Sequence, residues 1–211
     1  MGELADKLAG RFLVVDGPDG AGKTTQVALL AEWLAEQGVA VTRVRDPGGT
    51  AIGDRIRSIL LDNEHGGMSV ECETMLYMAS RAQLVAEVVR PAMAHGECIL
   101  SDRYIAATVA YQGAGGMDPA AVQTVAEIAV GGCRPELTIV LDLPAEQGLK
   151  RLTGDPDRME SKDLHFHQRV REMFLQQARD LPRRFAVVNA TGTVEEVQQR
   201  IRETILGWTF G

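Results

Sequence analysis

A short glycine-rich segment near the N-terminus combines residue types that hold phosphate groups. Gly17–Thr25 reads GPDGAGKTT and matches the pattern G-x-x-x-x-G-K-[ST]. Its glycines lack a Cβ, so backbone N–H groups can turn inward and approach an anion closely. Lys23 supplies a point charge for the β- and γ-phosphates, and the Thr24 hydroxyl suits a Mg²⁺ ligand. The candidate nucleotide-binding residues are Gly17, Pro18, Asp19, Gly20, Ala21, Gly22, Lys23, Thr24 and Thr25.

The context of this segment supports the same interpretation. The apolar run Phe12–Val15 precedes it and predicts a buried strand, and helical spacing continues from Gly22 to Gln37. A helix N-terminus behind the glycines adds unsatisfied N–H donors and the positive end of the helix dipole. The alternative is a glycine turn that merely joins a strand to a helix, and it would not require every fixed position of the motif. The chain is therefore predicted to bind a nucleoside triphosphate, which leaves the phosphate acceptor to be identified.

Charged side chains after two other apolar runs are candidates for a second phosphate site. Asp102, in the segment SDRY, can hold or orient Mg²⁺, and the adjacent Arg103 would face the same cleft. Arg45 begins the turn RDPGGT, and Arg57 lies twelve residues later on a predicted helix. The planar forks of these arginines suit the oxygens of one phosphate group. Surface ion pairs and solvated arginines remain the alternative, because spacing alone does not separate the two.

Tyr77 and Arg81 are spaced i and i+4, so a helix presents them on one face. An aromatic ring beside a guanidinium can stack on a nucleobase and hydrogen-bond its edge. The alternative is a tyrosine packed in the core and an arginine that extends to the surface. The pair becomes a candidate base-binding site only in the context of the phosphate-binding residues.

The elements that must position these residues alternate along the chain. Apolar runs predict strands at Phe12–Asp16, Val39–Val44, Glu97–Ser101, Leu137–Leu141 and Arg184–Val188. Helical periodicity predicts helices at Gly22–Gln37, Ile52–Leu61, Val70–Ala94, Pro119–Val130, Ala145–Leu152, Leu164–Arg179 and Val194–Leu206. This alternation predicts an α/β fold with a doubly wound five-stranded parallel sheet flanked by helices. Ligands of such sheets bind beyond the carboxyl ends of the strands, which is where the polar motifs fall.

Chain length and loop composition predict the domain organisation. The 211 residues suffice for one domain with a small lid, and residues 11–211 are its expected extent. Residues 1–10, MGELADKLAG, are expected to form a loosely ordered, flexible extension. The lid is expected around residues 150–162, because Thr153–Lys162 is polar, contains proline and is typical of a mobile loop.

Composition disfavours several partners and locations. The net charge of −7 argues against a surface that coats nucleic acid, so phosphate-binding cations must be gathered locally. No run of 18 or more apolar residues occurs, so no transmembrane helix and no membrane partner are expected. The first residues also lack the pattern of a signal peptide. Three widely spaced cysteines form no metal-ligand pattern and favour a reducing, cytoplasmic location.

Taken in order, several motifs resemble the thymidylate kinase family of P-loop nucleoside-monophosphate kinases. They are GPDGAGKTTQ, RDPGGT, YMASRAQL, SDRY, AYQGAGG, DRME and VVNATGTVEEV, and they extend from about Phe12 to the C-terminal helix. The resemblance implies the P-loop NTPase fold and the phosphorylation of dTMP to dTDP in dTTP synthesis. ATP would be the donor, with Mg²⁺ as the metal. The resemblance also implies a homodimer.

The resemblance implies a role for each matching residue. The residues that would hold the dTMP phosphate are Arg45, Arg57 and Arg103. Those that would contact the base are Tyr77, Arg81, Thr108 and Gln112. Asp19 would accept a hydrogen bond from the 3′-OH, and Tyr111 would pack by the deoxyribose and leave no room for a 2′-OH. The residues that would serve ATP and Mg²⁺ are Lys23, Thr24 and Asp102, with Ala190 and Thr191 beside the adenine.

Two positions depart from the family pattern. Asp46 stands in RDPGGT where glutamate is usual, and Gly20 stands where some members have a basic P-loop residue. Members without that residue typically have catalytic arginines in the lid, so Arg151 or Arg158 is expected to act as an arginine finger. The choice stays open, since Arg158 can instead pair with the acids beside it. The candidate catalytic residues are Asp19, Lys23, Arg103, Arg151 and Arg158.

Two other functions remain as alternatives. A kinase for a different nucleoside or nucleoside monophosphate would share both the P-loop and the arginines. A regulatory NTPase or switch would share only the P-loop, and it has no need of arginines at strand ends. If the chain is a homodimer, the predicted helix Val70–Ala94 and the segment Tyr104–Tyr111 are the expected interface.

Overall fold

The fold is built around one parallel sheet, seen in a computed structural model that describes residues 2–210. Its strands are β1 (Phe12–Asp16), β2 (Val41–Arg45), β3 (Cys98–Asp102), β4 (Leu137–Asp142) and β5 (Phe185–Asn189). The order across the sheet is β2–β3–β1–β4–β5, and each neighbouring pair is parallel. The predicted doubly wound five-stranded sheet is therefore confirmed.

Burial along each strand follows its place in the sheet. The central strands β1 and β3 are buried at every residue, and each is apolar except at its carboxyl end, which carries Asp16 in β1 and Ser101 and Asp102 in β3. The edge strands β2 and β5 are only partly buried. The edge strand β2 was expected to begin at Val39, but the Val39 N–H donates to the Leu34 carbonyl oxygen at 3.0 Å and closes the preceding turn. The strand therefore begins at Val41.

Helices cover both faces of the sheet. They are α1 (Glu3–Leu8), α2 (Lys23–Glu36), α3 (Ala51–Leu61), α4 (Val70–Leu84), α5 (Arg90–Ala94), α6 (Ile105–Ala114), α7 (Pro119–Val130), α8 (Ala145–Arg151), α9 (Leu164–Asp180) and α10 (Val194–Gly207). From β1, Phe12 and Val14 pack in one core with α4, α6 and α7, whereas Leu13 and Val15 pack in another with α2 and α10. Within residues 2–210, no helix has the length and apolar composition needed to cross a membrane.

The predicted helix Val70–Ala94 has an irregular middle. α4 leads into a π-helical segment, Val85–Val89, and α5 follows directly. Pro91 lies in the first turn of α5 and lacks the N–H that a helix interior requires. The wider π turn immediately before it accommodates this interruption, so the helical path continues.

Two helices lie where the sequence pattern predicted none. The expectation of a loosely ordered extension is wrong for Glu3–Leu8, which forms α1 and buries Leu8 completely in the core beside α2 and α10. Met1 lies outside the described residues.

α6 was missed because Ile105–Gln112 is buried on every side and therefore lacks a polar face. The expected interface segment Tyr104–Tyr111 is accordingly wrong, since the fold of a single chain already buries it.

The segment between α8 and α9 contains turns and divides into two parts. The exposed part comprises Thr153–Asp155. The second part packs against the end of α3, where Asn63 Nδ2 donates to the Pro156 carbonyl oxygen at 3.1 Å and Met159 is buried. The lid around residues 150–162 therefore includes the end of α8 and an anchored turn, while its mobility stays a prediction.

Candidate active site

One cleft at the carboxyl ends of β1, β2 and β3 collects most of the predicted site residues. Its volume is about 380 Å³. All nine residues expected to contact the acceptor line it: Asp19, Arg45, Arg57, Tyr77, Arg81, Arg103, Thr108, Tyr111 and Gln112. The donor-side residues in its lining are Gly20, Gly22, Lys23, Thr24, Thr25 and Asp102. The remaining loop residues, buried within the turn, are Gly17, Pro18 and Ala21.

Close backbone approaches shape the P-loop. Gly17 has φ +137°, and a Cβ there would lie 2.6 Å from the Leu141 carbonyl oxygen of β4. Lys23 begins α2, and its Nζ donates to the Pro18 carbonyl oxygen at 2.7 Å. Burial, assisted by the positive charge of Arg103, lowers the pKa of Lys23 to about 8. An amine held this way at a helix N-terminus is placed to pair with phosphate oxygens.

Thr24 and Asp102, the two predicted Mg²⁺ ligands, lie side by side. The register of β1 and β3 pairs Val15 with Asp102 and so brings Asp102 beside the P-loop. Thr24 Oγ1 donates a hydrogen bond to Asp102 Oδ2 at 2.7 Å, and both residues line the cleft. Hydroxyl and carboxylate oxygens are ligands that Mg²⁺ prefers, so this donor set fits the ion.

Arg103 lies between the P-loop and the acceptor-side residues. It follows β3 with φ +68°, a left-handed conformation that is uncommon outside glycine. Its guanidinium forms an ion pair with Asp19, lies 3.5 Å from the Asp16 carboxylate and lies 4.9 Å from the centre of the Tyr111 ring. Burial opposes its charge, but Tyr111 and these carboxylates outweigh burial and hold its pKa well above the usual value. Arg103 is therefore a fixed cation beside the P-loop.

Arg45 and Arg57 add further positive charge to the cleft. Arg45 is half exposed and lies 3.4 Å from the Asp54 carboxylate. The Arg57 Nη1 group donates to the Pro47 carbonyl oxygen at 3.1 Å. Burial first, and then the charges of Arg45 and Arg103, lower the pKa of Arg57. A bound anion would relieve this mutual repulsion, so the cluster is suited to a phosphate group.

The buried guanidinium of Arg81 is held from three sides. Its Nε forms an ion pair with Asp46, and its Nη2 donates to Thr108 Oγ1 at 2.9 Å and to the Tyr104 carbonyl oxygen at 3.1 Å. Arg81 is 1% exposed and still lines the cleft. Asp46 stands where the family usually has glutamate. Its carboxylate therefore has a structural role, because it orients Arg81.

Tyr77 and Tyr111 provide the aromatic part of the cleft wall. Tyr77 lies one helical turn before Arg81 on α4, and both side chains line the cleft, as their spacing predicted. The Tyr111 ring packs edge-to-face against Phe166 and Phe174 of α9, with ring centres 6.3 Å apart in both cases. Burial raises the pKa of both tyrosine hydroxyls, so they stay neutral near pH 7.

Two buried polar residues beside the cleft were missed by the sequence pattern. Glu73 of α4 accepts a hydrogen bond from Gln112 Nε2 at 2.6 Å and forms an ion pair with Arg158. His167 of α9 has its Nδ1 atom 4.0 Å from Asp19 Oδ2. The spacing of Glu73 four residues before Tyr77 was the available signal. His167 offered none, because only tertiary packing brings α9 to the P-loop.

The two lid arginines, Arg151 and Arg158, lie in different environments. Arg158 is buried, its Nε donates to the Leu60 carbonyl oxygen at 2.9 Å, and its guanidinium pairs with Glu73. The alternative in which Arg158 pairs with the acids beside it in sequence is therefore replaced by a pairing with Glu73 of α4. Arg151 ends α8 and is exposed. Neither arginine is among the described residues that line the cleft.

Gly20 of the P-loop allows α8 to approach the loop closely. A Cβ on Gly20 would lie 2.0 Å from the Gly148 carbonyl oxygen, and a Cβ on Gly148 would lie 2.3 Å from the Asp19 carbonyl oxygen. A basic side chain at position 20 is thus incompatible with this packing. Arg151 follows Gly148 by three residues, so it lies on the face of α8 that contacts the P-loop.

Ala190 and Thr191 form a turn at the carboxyl end of β5. The Ala190 N–H donates to the Asp142 carbonyl oxygen of β4 at 2.9 Å. The Thr191 N–H donates to the side-chain oxygen of Asn189 at 2.8 Å. The turn lies outside the lining of the cleft, at the same edge of the sheet as the P-loop. Its contact with adenine stays a prediction.

A P-loop and an arginine cluster that open into one cleft define a phosphotransferase of the nucleoside-monophosphate kinase class. The arginine cluster is suited to bind an anionic phosphate acceptor, and a simple NTPase needs no such site. The family model described as "Thymidylate kinase" matches residues 15–201. The chain belongs to the thymidylate kinase family.

Individual relatives agree with this membership. The chain is 48% identical to the thymidylate kinase of Deinococcus radiodurans over 91% of this chain and 94% of that protein. It is 46% identical to the thymidylate kinase of Syntrophotalea carbinolica over 90% and 92% of the two chains. The crystal structure of thymidylate kinase from Ehrlichia chaffeensis superposes with a TM-score of 0.77 at 27% identity, covering 93% of this chain and 98% of that one.

Proposed function

We propose that this chain transfers the γ-phosphoryl group of ATP to dTMP and so produces dTDP for dTTP synthesis. The observation that carries the proposal is the shared cleft, into which the P-loop, the arginine cluster and the base-binding residues all open. Family membership supports the same donor and acceptor. A regulatory switch is less well supported because it needs no acceptor site, and a nucleoside kinase is less well supported because a nucleoside carries no phosphate for the arginines. A kinase for another nucleoside monophosphate would use the same arginines, so the substrate panel below separates it.

On the donor side, the P-loop N–H groups and Lys23 bind the triphosphate of ATP. Thr24 and Asp102 would hold Mg²⁺, and the ion would offset the negative charge of the phosphates. Ala190 and Thr191 lie beside the adenine. This arrangement fixes the triphosphate at the start of α2, where the helix dipole also favours negative charge.

On the acceptor side, the arginine cluster of Arg45, Arg57 and Arg103 binds the dTMP phosphate. Tyr77 stacks on thymine, and Arg81 donates to its exocyclic oxygen, while Thr108 and Gln112 meet the polar edge of the base. Asp19 accepts a hydrogen bond from the 3′-OH, and Tyr111 packs by the deoxyribose and excludes a 2′-OH. The ion pair between Asp19 and Arg103 supports a shared position for these two residues where the donor and acceptor sites meet.

The transfer step needs positioning and charge compensation rather than proton chemistry. The attacking oxygen of dTMP is already anionic, so no general base is required. Lys23 and the arginine cluster hold donor and acceptor in line, and the lid excludes water when it closes. Arg151 supplies the remaining positive charge from the P-loop-facing side of α8. Arg158 instead anchors the lid through Glu73 and the carbonyl oxygen of Leu60.

The assembly proposed for this enzyme is a cytoplasmic homodimer. The outer surface of α4 remains from the interface expected in the sequence, since α6 is buried within the chain, and the adjacent α3 is now added to it. These two helices carry the exposed apolar side chains Ile52, Ile59 and Met75, whose exposed fractions are 54%, 42% and 52%. The free thiols of Cys72, Cys98 and Cys133 are consistent with a reducing compartment.

A substrate panel tests the proposed function. Turnover with ATP and Mg²⁺ is measured for dTMP, dUMP, dCMP, dGMP and thymidine, and dTMP is expected to give the highest kcat/KM. Preference for thymidine would instead indicate a deoxynucleoside kinase. ATP hydrolysis that no acceptor changes, together with no binding of dTMP by isothermal titration, would indicate a switch.

Replacing Arg103 with alanine is expected to raise the KM for dTMP by about tenfold or more. The physical reason is the loss of a charged hydrogen-bond donor from the acceptor-phosphate site. The KM for ATP should change less, because Lys23 and the P-loop remain in place. Steady-state kinetics with each substrate varied in turn check this, and unchanged KM values for both nucleotides would contradict the acceptor-site assignment.

A further inference from the structure

The buried carboxylate of Glu73 connects two elements of the cleft. Glu73 is 6% exposed, and each of its oxygens has a partner on a different element. Oε1 accepts a hydrogen bond from Gln112 Nε2 of α6 at 2.6 Å. Oε2 forms an ion pair with the guanidinium of Arg158 in the lid segment. Glu73 therefore stands directly behind a residue of the base-binding wall without lining the cleft itself.

This contact determines which end of the Gln112 amide faces the cleft. A carboxylate only accepts hydrogen bonds, so the amide NH₂ must face Glu73 and the carbonyl oxygen must face away. Gln112 is 1% exposed and lines the cleft. Its Oε1 atom is buried and has no hydrogen-bond partner within residues 2–210. A buried carbonyl without a partner costs free energy, so it marks a position where a ligand donor binds favourably.

The orientation of the Gln112 amide can discriminate among pyrimidine bases, because these bases differ at N3. Thymine and uracil carry an N–H donor at N3, whereas cytosine has a bare acceptor nitrogen there. A carbonyl fixed in the cleft accepts from the first two bases and repels the third. Arg81, whose guanidinium offers only donors, suits the carbonyl that thymine and uracil carry at C4. Together these groups form a pattern that cytosine cannot match.

We propose that Glu73 is a specificity-determining positioning residue. It holds the Gln112 amide so that its carbonyl oxygen reads the base N3–H, and it thereby discriminates thymine and uracil monophosphates against cytosine monophosphate. Glu73 acts through Gln112 and does not touch the base. The inference rests on the proposed dTMP-binding function and deepens it, because it assigns base selection to a residue outside the cleft lining.

The substitution Glu73→Gln tests the role directly. Glutamine has almost the same size, but its NH₂ group can donate to Gln112 Oε1, so the Gln112 amide can turn over. dUMP and dCMP are compared, since they differ only at N3 and at the exocyclic group of C4. The ratio of kcat/KM for dUMP to that for dCMP is expected to fall by about tenfold or more, mainly through KM. Arg81 should preserve the rest of the discrimination.

Two matched variants separate positioning from general damage. Glu73→Asp keeps an acceptor-only group, and Arg158→Lys keeps a cation beside Glu73, so both are expected to retain most of the dUMP-to-dCMP ratio even if turnover falls. Equal loss of the ratio in Glu73→Asp and Glu73→Gln would reduce Glu73 to a structural role and overturn the inference. A folded Glu73→Gln enzyme that keeps the wild-type ratio would do the same.

Further outcomes distinguish this inference from the proposed function. A wild-type enzyme that uses dTMP but shows a dUMP-to-dCMP ratio near one would overturn the inference alone. A wild-type enzyme that uses neither dTMP nor dUMP would contradict the proposed function itself. If Glu73→Gln does not fold, Gln112→Met replaces it. Loss of the ratio in that variant supports reading through Gln112, and an unchanged ratio excludes it.

Discussion

Replacing Lys23 with alanine is expected to lower kcat by about a thousandfold or more. Lys23 is the buried cation at the start of α2, and its Nζ is held by the Pro18 carbonyl oxygen within the P-loop. In the proposed reaction it stays beside the β- and γ-phosphates while negative charge shifts toward the leaving group. Alanine removes this charge, and the neighbouring Arg103 cannot replace it because it is already paired with Asp19.

Steady-state turnover of dTMP with saturating ATP and Mg²⁺ measures this effect. Lys7→Ala is the matched control, because Lys7 lies on α1, outside the cleft lining and the lid, and its loss should leave kcat unchanged. Circular dichroism and thermal denaturation establish that the Lys23→Ala protein is folded. Retention of more than about a tenth of the wild-type kcat in a folded variant would contradict a role in charge compensation.

Replacing Arg151 with alanine is expected to lower kcat by about a thousandfold, with little change in KM for either nucleotide. The reason is that an arginine finger acts on charge present chiefly in the transition state. The packing of Gly148 against Gly20 holds α8 on the P-loop, and Arg151 lies on that same face of the helix. Its exposed position leaves it available to turn toward the transferring phosphoryl group.

Arg158→Ala provides the comparison for the lid. It removes one partner of a buried ion pair, so we expect a loss of stability of about 3 kcal/mol and a lower Tm, with a smaller effect on kcat. Equal and small effects of the two substitutions on kcat would exclude an arginine finger in this lid. A larger loss of kcat in a folded Arg158→Ala enzyme would assign the finger to Arg158.

Local pattern alone predicted the phosphate-binding part of the donor site. The P-loop motif follows an apolar strand and begins a helix, and each of these signals lies within a continuous stretch of sequence. The strand-end residues of the acceptor half followed from one general rule, that the carboxyl ends of parallel strands meet at one edge of the sheet. That rule is why the sequence predicts Arg45, Asp102 and Arg103 at one cleft, which all three residues line. Asp19, Thr108, Tyr111 and Gln112 were indicated only by the resemblance to the family.

Only the tertiary structure decided the features that depend on which elements meet. The contact between Gly20 and Gly148 joins the P-loop to α8, and the Glu73 carboxylate joins α4 to α6 and the lid. Neither pairing leaves a periodic signal in sequence, because the partners are far apart along the chain. α6 lacked a signal for a related reason, since burial on every side removes the polar face that reveals a helix. The sequence by itself therefore predicted which groups bind phosphate, and packing decided how the lid segment and the Gln112 amide are oriented.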